Sequence, residues 1–76
     1  MAIPSRPIPD LARAIAPREI DELFRDAHFP SDRKQLVDYA RNRFASADVL
    51  AVLDSIPDRV YQNPGEIFHA IQGLAT

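Results

Sequence analysis

The side chains best suited to acid–base or metal chemistry are two histidines, His28 and His69, with Asp26 and Glu66 near them in the chain. Imidazole nitrogens and carboxylate oxygens serve as general bases and as metal ligands. The two histidines are far apart, however, and show no ligand spacing. His69 falls on the polar face of a predicted helix, and His28 ends another, where a cation is favoured. We therefore expect structural roles for both and no bound metal.

Nucleophilic catalysis requires a serine, threonine or cysteine activated by a base. Ser31 and Ser46 are instead placed to cap helices. The chain has no cysteine, which excludes disulfides and thiolate chemistry. Only two glycines are present, Gly65 and Gly73, so a glycine-rich loop that cradles phosphate is not expected. We predict no catalytic residues and no cofactor, and we expect that the chain is not an enzyme.

The best candidate binding patch is a basic stretch on one predicted helix. Lys34 and Arg41 are seven residues apart and share a face that phosphates could contact, and Arg33 and Arg43 extend it. Asp38 lies close enough to Lys34 and Arg41 to neutralise both. The net charge of −2 also offers no field that attracts a polyanion. The patch is either a weak, salt-sensitive site for nucleic-acid backbone or an ordinary solvated helix face.

Sequence-specific DNA binding by a helix-turn-helix is not supported. That motif would place the helix predicted at 47–55 in the major groove. Its outward residues lack the arginine, lysine, asparagine or glutamine that reads bases; they are Ala47, Asp48, Ala51, Asp54 and Ser55. We therefore reject this mode of docking.

The segment from Pro57 to Tyr61 combines a rigid proline, the opposite charges of Asp58 and Arg59, and a tyrosine. This composition is typical of either a well-tied corner or a protein-binding hot spot. In the first interpretation Val60 and Tyr61 pack under the domain while Arg59 pairs with a carboxylate. Both interpretations stay open.

Acidic residues concentrate on the helix predicted at 17–27, which carries Glu19, Asp21, Glu22 and Asp26. This helix is able to dock onto a basic partner, including the helix at 31–44 of a second copy. A solvated face laced with salt bridges is the alternative.

Short helices must position these side chains, because seven prolines divide the 76 residues into short pieces. In the longest predicted helix Leu36, Val37, Ala40 and Phe44 form one apolar stripe. Similar three- and four-residue spacing of apolar side chains predicts helices at about 17–27, 31–44, 47–55 and 64–73. Ser31, Ser46 and Asn63 are the predicted N-caps of the last three.

The predicted fold is all-α, a small single-domain bundle of three to four short helices over residues 10–76. A short helical turn after Asp10 is expected to break near Ala16. Residues 1–9 contain three prolines and are expected to be an extended or disordered segment. No apolar run approaches the roughly 20 residues of a membrane span. We see no export signal either, and expect a cytoplasmic protein.

Several residues at characteristic spacing resemble a known bacterial family, the domain of unknown function 2795, over about residues 20–72. The most specific pairing joins a Phe29-Pro30 and Lys34 start to a later turn of Pro57, Asp58, Arg59 and Tyr61. Members often carry glycine between the helices matching 31–44 and 47–55, where this chain has Arg43-Phe44-Ala45. We therefore expect a tighter or shifted link there. The resemblance implies a domain-sized unit and no activity.

The sequence favours a non-catalytic protein-interaction or accessory module that binds a protein partner or itself. The alternative is a regulatory protein that binds nucleic-acid backbone through the basic face of helix 31–44, which the net charge disfavours. An enzyme comes third, since it would need a dimer to build a cleft. The candidate interaction surface comprises Arg33, Lys34, Arg41, Arg43, Asp58, Arg59 and Tyr61.

Overall fold

The computed structural model describes residues 6–75 and places five helices and two short strands in them. In chain order these elements are α1 (Ile8–Ala14), α2 (Pro17–Leu23), β1 (Ser31–Asp32), α3 (Arg33–Asn42), α4 (Ala47–Ser55), β2 (Val60–Tyr61) and α5 (Pro64–Leu74). The fold is mostly helical, as predicted. The antiparallel pair of β1 and β2 was not predicted, because two-residue strands leave no alternating pattern in a sequence.

The first helix begins earlier than expected. Residues 1–5 of the expected extended segment lie outside the described residues, but α1 already starts at Ile8. Pro7 occupies the N-cap position and Pro9 lies in the first turn, where a missing backbone N–H breaks no helical hydrogen bond. The helix ends at Ala14, and Ile15 is extended, so the predicted break near Ala16 is confirmed.

Helix α2 is shorter than the predicted 17–27 and ends at Leu23. Beyond it the amides of Arg25 and Ala27 donate to carbonyls three residues back, at 3.5 and 3.1 Å. These short-range bonds close the segment as a tight turn instead of a further helical turn. Phe24 nonetheless stays buried, so the apolar spacing was read correctly while the helix end was not.

Helix α3 is capped by Asp32 and not by the predicted Ser31. The Asp32 carboxylate accepts from the Gln35 amide at 2.8 Å, and the Gln35 side chain accepts from the Asp32 amide at 2.9 Å. This reciprocal capping box satisfies two backbone donors at once. Ser31 instead pairs with Tyr61 in the sheet, and its hydroxyl donates to the carbonyl of His28.

The two later caps are confirmed. The Ser46 hydroxyl accepts from the Val49 amide at 3.2 Å, and the Asn63 side chain accepts from the Glu66 amide at 3.0 Å. The Glu66 carboxylate reaches back past the cap residue Asn63 and accepts from the amide of Gln62 at 2.7 Å. These contacts fix the starts of α4 and α5.

The core consists of apolar side chains from all five helices together with Tyr61 of β2. Among the described residues no polar or charged side chain other than the tyrosine is buried in it. Helix α3 packs against α4, α1 lies on α4 and α5, and α2 lies on α5. The buried side chains are Leu11, Ala12, Ile15, Ile20, Phe24, Leu36, Val37, Ala40, Val52, Leu53, Ile56, Tyr61, Ile67, Ala70 and Ile71.

Candidate interaction surface

Phe44 lies on the surface, in the link between α3 and α4. Its apolar neighbours on the predicted stripe, Leu36, Val37 and Ala40, are buried as expected, but Phe44 is 93% exposed. The prediction for Phe44 was wrong because α3 ends at Asn42, two residues before the predicted end. The ring therefore leaves the helical spacing that would have carried it into the core.

The helix stop itself explains how the chain turns at Phe44. The amide of Ala45 donates to the carbonyl of Ala40 at 3.0 Å, and the amide of Phe44 donates to that of Arg41 at 3.1 Å. These two bonds make a Schellman motif, in which the residue at the position of Phe44 must be left-handed. Phe44 has a φ of 61°. Among residues 6–75 it is the one non-glycine residue with a positive φ.

An aromatic residue at this position weakens the fold. Glycine is the usual occupant, and a side chain in the left-handed region costs about 1 kcal/mol. Because the ring of Phe44 is exposed, its burial offsets almost none of that cost. The expected tighter or shifted link does not form: the ordinary glycine-type stop is made, with phenylalanine in the glycine's place. Folding therefore does not account for the residue type, and such departures concentrate at functional sites.

Two arginines, Arg41 and Arg43, lie close to Phe44 in the chain. Arg41 Nη1 lies 3.4 Å from Asp38 Oδ1, an exposed pair of the kind that contributes little to stability. The guanidinium carbon of Arg43 lies 5.5 Å from the ring centroid of Tyr39. Both arginines remain exposed. We refer to Arg41, Arg43 and Phe44 together as the Phe44 knob.

The structure does not join the predicted basic residues into one uninterrupted face. Arg33 turns toward the corner that follows α4, where its guanidinium donates to the carbonyl of Ile56 at 3.4 Å and lies 3.9 Å from the Asp58 carboxylate. Arg41 is paired with an acid, as the sequence indicated. Lys34 is exposed and forms no ion pair within the described residues.

The corner from Pro57 to Tyr61 is tied to the domain mainly through Tyr61. This side chain is fully buried and its hydroxyl donates to the Pro57 carbonyl at 2.7 Å. Arg59 places its guanidinium carbon 5.0 Å from the Tyr61 ring and pairs with no carboxylate in residues 6–75, contrary to expectation. Val60 is 54% exposed, so its predicted packing was also wrong. Tyr61 is thus closed to partners, whereas Asp58 and Arg59 lie on the surface.

The candidate chemical residues stay apart. His28 and His69 are both exposed, in the segment between α2 and β1 and on α5 respectively. Across residues 6–75 no group of three or more histidine, cysteine, aspartate or glutamate side chains is arranged to hold a metal ion. The hydroxyls of Ser31 and Ser46 are occupied by the backbone contacts already described.

An apolar groove runs between α1 and the end of α5. Its volume is about 360 Å³, and its lining consists of Ala12, Arg13, Ile15, Phe68, Gln72 and Ala75. Arg13 holds one side of it by donating to the carbonyl of Ala75 at 3.2 Å and to the Asp10 carboxylate at 2.7 Å. Sequence reasoning missed this groove, because local spacing does not reveal that α1 packs beside α5.

Comparison with known proteins identifies one family. The model of a family described as "Protein of unknown function (DUF2795)" matches residues 15–68, which confirms the resemblance. The match begins two residues before α2 and ends within α5, whereas α1 lies before it. No curated protein and no solved structure matches the chain. Within residues 6–75, every helix is too short or too polar to cross a membrane.

Proposed function

The chain belongs to the family described as protein of unknown function (DUF2795), and we propose that it acts as a small, non-catalytic protein-interaction module of a bacterial cytoplasm. The Phe44 knob is its binding surface. This function needs no cofactor and no active site, only a surface whose side chains gain free energy when a partner covers them.

The observation that best supports this proposal is the combination of backbone strain and side-chain exposure at Phe44. Phe44 itself has the left-handed backbone conformation, and its ring is 93% exposed. A partner that covers the ring removes its apolar surface from water, which provides a hydrophobic free energy that folding of the chain alone does not provide. Arg41 and Arg43, which are exposed and precede Phe44 by three and one residues, add the residue type that, with aromatic residues, dominates the energetics of protein interfaces.

The surroundings of the histidines and serines support a non-catalytic role. General acid–base work needs a base within hydrogen-bond reach of a nucleophile or substrate. His28 lies between α2 and β1, His69 lies on α5, and both side chains are exposed. Ser31 and Ser46 use their hydroxyls to hold the backbone.

Binding of nucleic-acid backbone is the alternative, and the charges disfavour it. Arg33 is directed to Asp58, and Asp38 offsets Arg41, so much of the predicted basic face is already neutralised. An exposed aromatic ring beside arginines is still a platform on which an unpaired base can stack. The experiment must therefore distinguish a protein adduct from a nucleic-acid adduct.

Site-specific photocrosslinking in the native cell tests the proposal. A photoreactive phenylalanine analogue replaces Phe44, and the same analogue at the exposed Gln62 is the control. We expect a light-dependent protein adduct from position 44 that resists nuclease, and none from position 62. A nuclease-sensitive adduct, equal labelling from both positions, or no adduct from position 44 would contradict the proposal.

A further inference from the structure

We propose that the link between α3 and α4 is a hinge, and that two copies of the chain exchange their α4, β2 and α5 elements through it. The product is a domain-swapped dimer in which α3 and α4 of each chain join into one continuous helix. This inference goes beyond the proposed function and does not depend on it. Three observations carry it: the packing of the helices, the sequence of the link and the conformation of Phe44.

The fold divides at this link into two parts that pack on each other. The first part consists of α1, α2, β1 and α3, and the second part consists of α4, β2 and α5. Helix α1 packs on α4 and α5, α2 packs on α5, α3 packs on α4, and β1 pairs with β2. Helix-on-helix packing within the first part is slight. The first part therefore needs a second part to complete its core, and the second part of another copy offers the same contacts.

The sequence allows the chain to straighten at this link. Pro17 directly follows the link between α1 and α2, and Pro30 and Pro57 lie in the links from α2 to α3 and from α4 to α5. The segment from Ser31 to Ile56 contains neither proline nor glycine. Proline breaks a helix and glycine disfavours one. The chain from α3 to α4 is thus compatible with one continuous helix, whereas the other links are not.

The closed form of the link is strained at Phe44. This residue has a left-handed φ of 61°, which is unfavourable for any residue with a side chain. In a continuous helix Phe44 takes ordinary helical angles, and the amides of Phe44 and Ala45 donate to carbonyls four residues back instead of to Arg41 and Ala40. Exchange therefore releases the strain at both hinges of the dimer. Short links under strain favour domain swapping for this reason.

Straightening separates the two parts of one chain. Helices α3 and α4 pack against each other in the closed form, which helices joined end to end cannot do. Separation would expose their buried faces, which include Leu36 and Ala40 on α3 and Val52 and Leu53 on α4. The complementary faces of another copy remove this apolar surface from water. The partner is therefore a second copy, and the dimer is closed, because each copy gives one part and receives one.

Two substitutions at the hinge should shift the equilibrium in opposite directions. Phe44→Gly relieves the strain of the closed form and puts glycine inside the continuous helix. It should weaken the dimer about thirtyfold or more, a factor of about five or more for each hinge. Ser46→Ala removes the cap of α4, which exists only in the closed form, and should strengthen the dimer by about the same factor.

The matched control removes a cap that both forms share. Asn63→Ala deletes the side-chain cap of α5, and α5 begins in the same way whether or not the parts are exchanged. This variant should lose stability as Ser46→Ala does, but its dimerisation should equal that of the wild type.

Refolding of the full chain measures the exchange. Each variant is unfolded in urea and refolded at micromolar and at millimolar concentration, and size-exclusion chromatography with light scattering separates monomer from dimer. We expect a dimer of the wild type after refolding at millimolar concentration, more dimer for Ser46→Ala and less for Phe44→Gly. Circular dichroism checks that each variant is folded.

A pair of introduced cysteines distinguishes exchange from docking of two closed copies. Arg33 and Asp58 belong to different parts, their charged groups lie 3.9 Å apart, and the chain has no cysteine of its own. In a variant that combines Arg33→Cys with Asp58→Cys, a short bismaleimide should link the two positions within one chain of the monomer. In a swapped dimer the same reagent links one chain to the other, so a covalent dimer remains after denaturation.

Any of four results would overturn the inference. They are a wild type that forms no dimer after refolding at millimolar concentration, a dimer whose crosslinks join positions within single chains, dimerisation of Phe44→Gly equal to the wild type, and equal dimerisation of Ser46→Ala and Asn63→Ala. Each of these results concerns the purified chain alone, so the crosslinking at position 44 in the cell still tests the proposed function separately.

Discussion

The amide of Ala45 donates to the carbonyl of Ala40 at 3.0 Å, and this bond closes the end of α3 around Phe44. The bond exists only while Phe44 keeps its left-handed conformation, with φ at 61°. The helix stop thereby turns an apolar ring to solvent and holds its backbone in one hydrogen-bonded conformation. Pre-organisation of this kind lowers the entropic cost of binding a partner.

Phe44→Gly should make the domain more stable, because glycine adopts the left-handed conformation without a Cβ penalty. We expect a gain of about 1 kcal/mol in the free energy of unfolding. Phe44→Ala is the control, since it removes the exposed ring but keeps the strain and should stay within about 0.5 kcal/mol of the wild type. Urea unfolding measures both. Equal stability of the two variants would show that the conformation at this residue is not strained.

Binding and stability should therefore change in opposite directions at this position. Most substitutions that abolish binding by unfolding a protein lower its stability. A variant that gains stability and loses its partner separates the surface role of Phe44 from any role in the fold.

Two tyrosines provide a matched test of the core. The Tyr61 hydroxyl donates to the Pro57 carbonyl at 2.7 Å. Tyr39 is only partly buried, but its hydroxyl is shielded from solvent and has no hydrogen-bond partner among the described residues. Tyr61→Phe should cost about 1 kcal/mol of unfolding free energy, the typical value of one hydrogen bond.

The corresponding change at Tyr39 removes only an unsatisfied polar group. Tyr39→Phe should therefore leave stability unchanged or raise it by up to about 1 kcal/mol. Chemical denaturation of both variants under one condition measures the difference. A larger loss for Tyr39→Phe than for Tyr61→Phe would contradict the assignment of Tyr61 as the tie of the corner.

Helix α1 should be an integral part of the domain, although the family match begins only at residue 15. Leu11 is 3% exposed, and truncation of a buried leucine leaves a cavity. Leu11→Ala is expected to cost roughly 3 kcal/mol of stability. The neighbouring exposed residue provides the control: Arg13→Ala should change stability by less than about 1 kcal/mol. Similar, small effects of both variants on thermal unfolding would show that α1 is dispensable.

The parts of the fold that the sequence predicted well are those with strong local signals. Helix α4 has its predicted bounds, because Ser46 caps it and Pro57 prevents its continuation. The predicted N-cap of α3, Ser31, lies one residue before the actual cap, Asp32. Both residues are good caps, but only Asp32 has Gln35 at the position that completes a capping box.

The parts that could not be predicted depend on long-range packing or on an unusual residue at a turn. A helix stop without glycine has no sequence signature, so Phe44 was assigned to the core. The groove requires α1 and α5 to lie side by side, which local spacing does not encode. The corner from Pro57 to Tyr61 was predictable only in part. Burial of Tyr61 follows from its aromatic character, whereas the pairing of Asp58 with Arg33 joins residues that are distant in sequence.

Nucleic acid should not bind appreciably to the folded chain. Because the net charge is −2 and Asp38 lies beside Arg41, the chain can neutralise few phosphates at once. The number of neutralised phosphates determines how steeply the affinity for nucleic acid falls with salt. We expect no binding of labelled single- or double-stranded oligonucleotides at low salt. Binding that weakens steeply with salt, and whose salt dependence is reduced by Arg41→Ala, would contradict this expectation. If Phe44→Gly then abolished binding of single strands but not of duplexes, the ring would be a stacking platform for bases and not an anchor for a protein.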